Sequence, residues 1–376
     1  MSVDFEAIRK QEWPVLEQMV FLDAACVSFA PQRTVRAVKA FADMTATQEE
    51  ENSSTHHIAM DSLRGKAYDE AAKLLNADPE EIALVESTSH GLNIAARGIE
   101  LADGDNIITT NLEFIQVALP WCVMRREKKI EIRVCKTKDN RFTVDDFAAL
   151  ADERTRIIVM STLEWCNGWA SDMKAIGDFC QEKGIFLVVD AVQQLGVTKI
   201  DTKECHFDLL VAGGHKWLNS PYGTGVLYVN KNSLSKIKQS YAGYLNTTVP
   251  EGGWGAYWEN PAAPSVHDWT FPETARKYEI GGTSNYTGAI ALGESLGLVR
   301  TSRNTSGSSA PTAWINWRPS APPSSPTATR AGGAASSLPA SMTIWMWTAG
   351  YSSSSTPARF LLPSASPTTW AASASP

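Results

Sequence analysis

No run of about 18 apolar residues occurs anywhere in the chain, so no membrane-spanning helix is expected and no membrane partner. No Lys/Arg run or basic face stands out, and 34 Lys+Arg against 41 Asp+Glu leave a formal charge of -7. Electrostatics therefore gives no case for nucleic acid and favours a small or anionic metabolite. The six cysteines, Cys26, Cys122, Cys135, Cys166, Cys180 and Cys205, form no CxxC pair and no cluster. That excludes a zinc pattern and a secreted disulfide framework, no metal site is expected, and the thiols are read as reduced and mostly buried. No GxGxxG follows an early apolar run, which removes a dinucleotide-binding dehydrogenase. The first twenty residues are acidic and amphipathic and carry no apolar signal core, so a cytoplasmic protein is expected.

The last 76 positions have absences of their own. Residues 301–376 contain no Asp, Glu, Lys, His, Cys, Gln or Val, yet hold 10 of the 19 prolines and 5 of the 13 tryptophans. Arg303, Arg318, Arg330 and Arg359 are their only charges, so residues 1–300 carry a net -11. Ser-, Pro- and Ala-rich runs of this kind sustain neither a helix nor a central strand, and the segment is not expected to pack. A natural disordered tail and a changed reading frame both produce such a composition. The tryptophans favour the second, because disordered tails are poor in aromatics.

Before that point, short apolar runs alternate with amphipathic stretches: IALVE (82–86), NIITT (106–110), IEIRV (130–134), RIIVM (156–160), GIFLVVD (184–190), DLLVAG (208–213) and GVLYV (225–229). In SDMKAIGDFCQEKG, Met173, Ile176 and Phe179/Cys180 share a helical face and Gly184 supplies a stop. Strands alternating with helices imply an α/β fold with a mainly parallel sheet covered on both sides. Ligands of such sheets sit outside the carboxyl ends of the strands.

Polar groups collect at those ends. Lys216, in GGHKW, lies just past an apolar strand beside His215 and two glycines, a setting in which desolvation lowers an amine's pKa so that it attacks a carbonyl and forms a Schiff base. Asp190 closes a near-continuous apolar strand, where an unpaired carboxylate is costly, so a cationic partner such as a protonated pyridine nitrogen is expected, with Gln193 within reach of the same ligand. A helix cap is the plainer role for Asp190. Ser87, Thr88 and Ser89 open a helix after a strand and can hold an anion there, although Ser and Thr are also ordinary caps. A phosphate site, a lysine and a carboxylate for a ring nitrogen describe the three ends of pyridoxal 5'-phosphate.

The segments LVESTSHGLNIAARGI, TTNLEFIQVALPW, FLVVDAVQQLGV, DLLVAGGHKWLNSPYGTGVLYV and YEIGGTSNYTGAIALGESLGLV, in that order, resemble the class V aminotransferase family of pyridoxal phosphate enzymes, over roughly residues 15 to 300. That family includes cysteine desulfurases, selenocysteine lyases and isopenicillin N epimerase-like proteins. The resemblance implies a fold-type I, aspartate aminotransferase-like architecture. It implies Lys216 as catalytic Schiff-base lysine and Cα proton carrier, Asp190 on the pyridinium, and Gln193 on the ring hydroxyl. Thr88, Ser89 and His215 would meet the phosphate, Phe114 would stack on the ring, and Thr283 would reach the phosphate of a neighbouring protomer in a homodimer. Departures are present too. Desulfurases usually have a His where this chain has Phe114, which stacks but transfers no proton, and they need a persulfide-forming Cys in their last third, whereas no Cys follows Cys205. Gly213 replaces a Ser that often precedes Gly-His-Lys. No residue after 300 matches the Arg that usually grips the substrate carboxylate.

The expected organisation is an N-terminal segment (1–20), a large cofactor domain (21–265), the start of a small terminal domain (266–300) and the atypical tail (301–376). The expected reaction is Cα chemistry on an amino acid, with epimerisation first and β-elimination or transamination next. An inactive frame-shifted remnant or non-catalytic relative is the competing class. His56 and His57 read either as lining the substrate pocket or, the plainer role, as solvated loop residues, Glu164 and Trp165 either as ligand contacts or as a surface Glu beside a packed Trp, and residues 252–271 as a mobile tryptophan-rich loop.

Overall fold

The computed structural model describes residues 4–137 and 139–304, and the side chains of these up to Ser302. All fall within one compact unit. Seven strands form one sheet: β1 (Ile82–Val85), β2 (Asn106–Thr110), β3 (Glu131–Cys135), β4 (Thr155–Ser161), β5 (Phe186–Asp190), β6 (Leu209–Gly213) and β7 (Gly225–Val229), in the order β1-β7-β6-β5-β4-β2-β3. They are the seven apolar runs, each shifted by two residues or fewer at either end. β3, β2, β4, β5 and β6 pair in parallel, while β7 is antiparallel to both β6 and β1. The sheet is mixed and mostly parallel.

The helices are α1 (Phe5–Glu12), α2 (Gln32–Thr45), α3 (Ser53–Ser62), α4 (Gly65–Leu75), α5 (Thr88–Gly98), α6 (Ile115–Glu127), α7 (Val144–Ala148), α8 (Met173–Lys183), α9 (Thr202–Cys205), α10 (Gly253–Glu259) and α11 (Tyr286–Asn304). Alternate strand residues feed two apolar layers. Leu187, Val189, Leu210 and Ala212 pack with Leu75 of α4, Ile176 and Cys180 of α8, and Leu292 and Leu296 of α11. Val188, Leu209, Val211 and Leu227 pack with Leu92 and Ile94 of α5 and with Val117 and Trp121 of α6. A strand covered on both faces has no polar side, which is why these runs read as continuously apolar.

Two glycines set local geometry. Gly184 ends α8 in the left-handed region, at φ 66°, with its N–H bonded back to Cys180 O and Gln181 O. Gly91 lets α5 lie against β6, since a Cβ there would come within 2.4 Å of Val211 Cγ2. At the far end, α11 continues to Asn304 and packs on α4 and α2, so the helical pattern outlasts Thr301 by three residues. The expectation that the tail does not pack concerns residues 305–376, which lie outside the described ones. Among the described residues no helix is long and apolar enough to cross a membrane.

Candidate active site

The carboxyl edge of the sheet brings together residues far apart in the chain. Gly225 at the start of β7 pairs with Gly213 and with Val85, so the turn bearing Lys216 rises beside the segment that opens α5. One strand further on, Asp190 pairs with Val211 and with Ser161.

Asp190 is 3% exposed and accepts one side-chain hydrogen bond, from Val192 N to Oδ1 at 2.9 Å; no donor meets Oδ2 among the described residues. Burial pushes its carboxyl up to about 6 against the opposing effects of the Val192 N–H and the Lys216 charge. Burial likewise lowers the Lys216 amine, opposed by Asp190 and by the Cys26 thiol. Each partner favours the other's charged form, and desolvation outweighs both. The Lys216 Nζ stands 5.9 Å from the centroid of the Phe114 ring, which meets Trp165 edge-on at 5.6 Å.

The phosphate candidates are arranged less simply. Ser87 caps α5 by accepting from His90 N at 3.2 Å, leaving the N–H groups of Thr88 and Ser89 at the helix entrance ahead of the first intrahelical bond. Thr88 Oγ1 accepts from Gly213 N at 2.9 Å, fastening α5 to the end of β6. His215 stacks on Tyr222 at 5.6 Å, and burial followed by the Lys216 charge lowers its pKa. Ser89 also borders a cleft of about 510 Å³ with His90, Asn93, Arg97 and Tyr241, which includes neither Asp190 nor Lys216. Gln193 has both ends of its amide engaged inside the chain: Nε2 donates to Ala25 O at 3.1 Å, and Oε1 accepts from Trp217 Nε1 at 2.8 Å. Thr283 is exposed on the loop before α11, and Asn285 ties that loop to Gly223 O.

Two neighbours were not singled out from sequence. Ser28 holds the Lys216 turn from the N-terminal side: its N–H donates to His215 O at 2.9 Å, and its hydroxyl donates to Lys216 O. The nearest signal is the apolar-acidic FLDAA just before it, which names no role. Glu113 is the second. It accepts from Ser161 N at 2.9 Å and Ser161 Oγ at 2.6 Å, and its place directly after β2 is the signal that it shares with the residues found.

Three expectations are corrected. Glu164 is fully buried and Trp165 is 51% exposed, the reverse of a surface Glu beside a packed Trp, because the Glu164 carboxyl turns inward to Thr110 and Glu113 while the indole lies across the outside with Nε1 on Leu112 O. His56 and His57 lie on α3 rather than in a solvated loop; His56 is buried and His57 Nε2 is 3.0 Å from Tyr286 Oη. Of the six free cysteines only Cys135 and Cys180 are buried, while Cys26 and Cys166 are exposed. The tryptophan-rich stretch also contains a short helix, α10, whose Trp254 stacks on Trp258 and Trp269.

A family model, aminotransferase class-V, matches residues 20–308. The chain belongs to that family. Among its relatives, a probable cysteine desulfurase of Methanothermobacter thermautotrophicus is 28% identical over 296 residues, 76% of this chain and 68% of its own length. A probable cysteine desulfurase of Pyrococcus abyssi is 26% identical over 60% of this chain and 57% of its own, so the match spans less than two thirds of that relative. The fold is shared with the apo cysteine desulfurase of Thermococcus onnurineus, at TM-score 0.68 and 22% identity over 80% of this chain and 72% of that one.

Membership makes this a pyridoxal-phosphate-dependent enzyme of class V with a fold-type I, aspartate aminotransferase-like architecture. The residues present fit pyridoxal 5'-phosphate on their own chemistry. Asp190 is a buried carboxylate with a free oxygen suited to a cationic ring nitrogen, Lys216 is an amine biased toward its neutral form, and α5 opens toward them with N–H groups and hydroxyls suited to a phosphate.

Proposed function

We propose that this enzyme removes the Cα proton of an amino acid and expels a group from Cβ, with sulfur as the leaving atom: a β-lyase on a cysteine-like substrate. Bound pyridoxal phosphate supplies an aldehyde for the Lys216 amine and an electron sink for the Cα carbanion. The chain's own groups supply the rest. Asp190, facing the ring nitrogen, keeps it protonated. Thr88, Ser89 and His215 hold the phosphate, Gln193 steadies the Lys216 turn and faces the ring hydroxyl, and Phe114 covers one ring face. Lys216, lowered by burial, takes the Cα proton as a neutral base.

One observation carries the choice of reaction. Phe114, which brings no proton-transfer group of its own, is the ring that stands beside Lys216, its other ring contact among the described residues being Trp165. Inverting Cα needs proton delivery to both faces of a flat carbanion, whereas elimination needs it on one. This supports β-elimination ahead of epimerisation, reversing the order suggested by sequence. The desulfurase names of the relatives support sulfur as the leaving atom. With no Cys after Cys205, sulfur leaves without a thiol carrier from that part of the chain.

The working unit is a homodimer of the cytoplasm, with Thr283 turned toward the neighbouring protomer's phosphate. The exposed stripe Ile115, Leu119 and Val123 on α6, next to Phe114, supports such pairing. Incubating the cofactor-loaded full chain with L-cysteine and other amino acids, and measuring sulfide, keto acid and loss of chirality together, tests the reading. Sulfide with pyruvate supports it, and chirality loss alone overturns it in favour of epimerisation.

A further inference from the structure

Beneath the Phe114 and Trp165 rings, two loops are tied together. Trp165 Nε1 donates to Leu112 O at 3.0 Å, and Glu113 accepts both the N–H and the hydroxyl of Ser161. At the centre, Thr110 Oγ1 lies 3.3 Å from Glu113 Oε1 and 3.5 Å from Glu164 Oε1, and the two carboxyls contact each other. A hydroxyl has one hydrogen and serves one carboxyl at a time. Glu164 is fully enclosed, its Oε2 has no partner among the described residues, and Asp190 adds a third acid nearby. Two carboxylates held together without a cation cannot both stay ionised there.

We propose that Glu113 and Glu164 share one proton and that this acid pair positions the Phe114–Trp165 rings beside Lys216. The inference rests on the cofactor reading of the site. Phe114 follows Glu113 and Trp165 follows Glu164, so the pair joins the backbones that carry both rings. Loss of the proton sets two anions against each other and parts the loops. The groups facing the pair are Asp190 from β5, which raises both, Cys166 from the Glu164 turn, and Lys216, which acts through Asp190. Burial is the first cause of the rise in both glutamates, followed for Glu164 by the Glu113 charge. The proton is therefore held above the ordinary carboxylate range, and the arrangement weakens as pH rises.

The test uses the full chain in two states. In the cofactor-free chain, with Asp190→Asn in every sample to silence its titration, the denaturant midpoint is followed from about pH 5 to about pH 9. The midpoint is expected to fall with pH when both glutamates are present and to flatten with Glu164→Gln, which keeps a hydrogen-bonding head but does not ionise. Glu113→Gln gives the same readout should the first variant fold poorly. In the loaded chain with Asp190 intact, the cofactor's induced circular dichroism is expected to fade with pH, to hold steady in Glu164→Gln, and to be reduced at every pH in Glu164→Ala, with cofactor retention about tenfold weaker. An unchanged midpoint slope in both glutamine variants overturns the proposal. Failure of the lyase reading leaves the cofactor-free result standing, so the two are separable.

Discussion

Glu279 and Asp190 are both buried acids, 7% and 3% exposed, and they are treated in opposite ways. Glu279 accepts from Leu84 N at 2.9 Å, Arg64 Nη2 at 2.8 Å and Tyr68 Oη at 3.1 Å, so both its oxygens are used within the chain. Asp190 takes the single Val192 N–H, its second oxygen meets no donor among the described residues, and the Lys216 charge is the cation that acts on it. A carboxyl that the fold satisfies itself is structural. One left short of donors at a strand end is open to a partner from outside the chain.

The largest effect should come from the cation nearest the unsatisfied acid. Lys216→Ala is expected to lower turnover by about 10³-fold or more while leaving the far-ultraviolet circular dichroism unchanged. Next, Glu279→Ala leaves Arg64 with Asp61 as its remaining acid and strips Leu84 N and the buried Tyr68 hydroxyl of their acceptor, and should cost about 3–5 kcal/mol, read as a lower denaturant midpoint. Asp190→Asn should act with the other sign in the cofactor-free protein. The folded pKa of Asp190, about 6, lies above the usual 3.8, so the folded state holds a proton that the unfolded chain has released. Stability from this group is therefore lost as pH climbs from about 4 to about 6 and is level above. The Asn variant should gain on the order of 3 kcal/mol at neutral pH and lose cofactor affinity. If Asp190→Asn destabilises the cofactor-free chain as Glu279→Ala does, the contrast between the two acids is gone. The smallest effect is expected from Ser28→Ala, about 1 kcal/mol in the denaturant midpoint, through the bonds to the Lys216 turn.

The sheet was legible because strands buried on both faces leave uninterrupted apolar runs, such as FLVVD and DLLVA, whose ends mark one edge of the molecule. Asp190 and Lys216 were legible for the same reason: a charge next to such a run has few structural uses. Glu113 and Glu164 were not. Each follows a strand, but their burial depends on two loops meeting across the sheet, β2 beside β4, a pairing no local pattern encodes. The amphipathic logic that places a polar residue outside and an aromatic one inside failed at Glu164 and Trp165, where the acid has polar company within and the indole covers the loop from without. His56 and His57 misled in a similar way, since α3 begins at an Asn52 capping box within a run of polar residues.

Because β7 runs against both of its neighbours, the turn that bears Lys216 has each end stitched into the middle of the sheet, with Gly213 opposite Gly225. A permuted chain opened there would release two interior strands at one stroke. A single inserted residue that shifted β7 by one position would exchange its two faces, turning Leu227 away from α5 and Val226 toward it. The length of this crossing is thus fixed by the packing of both layers as much as by the reach of the amine, and engineering that enlarges the substrate cavity has more freedom in the other loops.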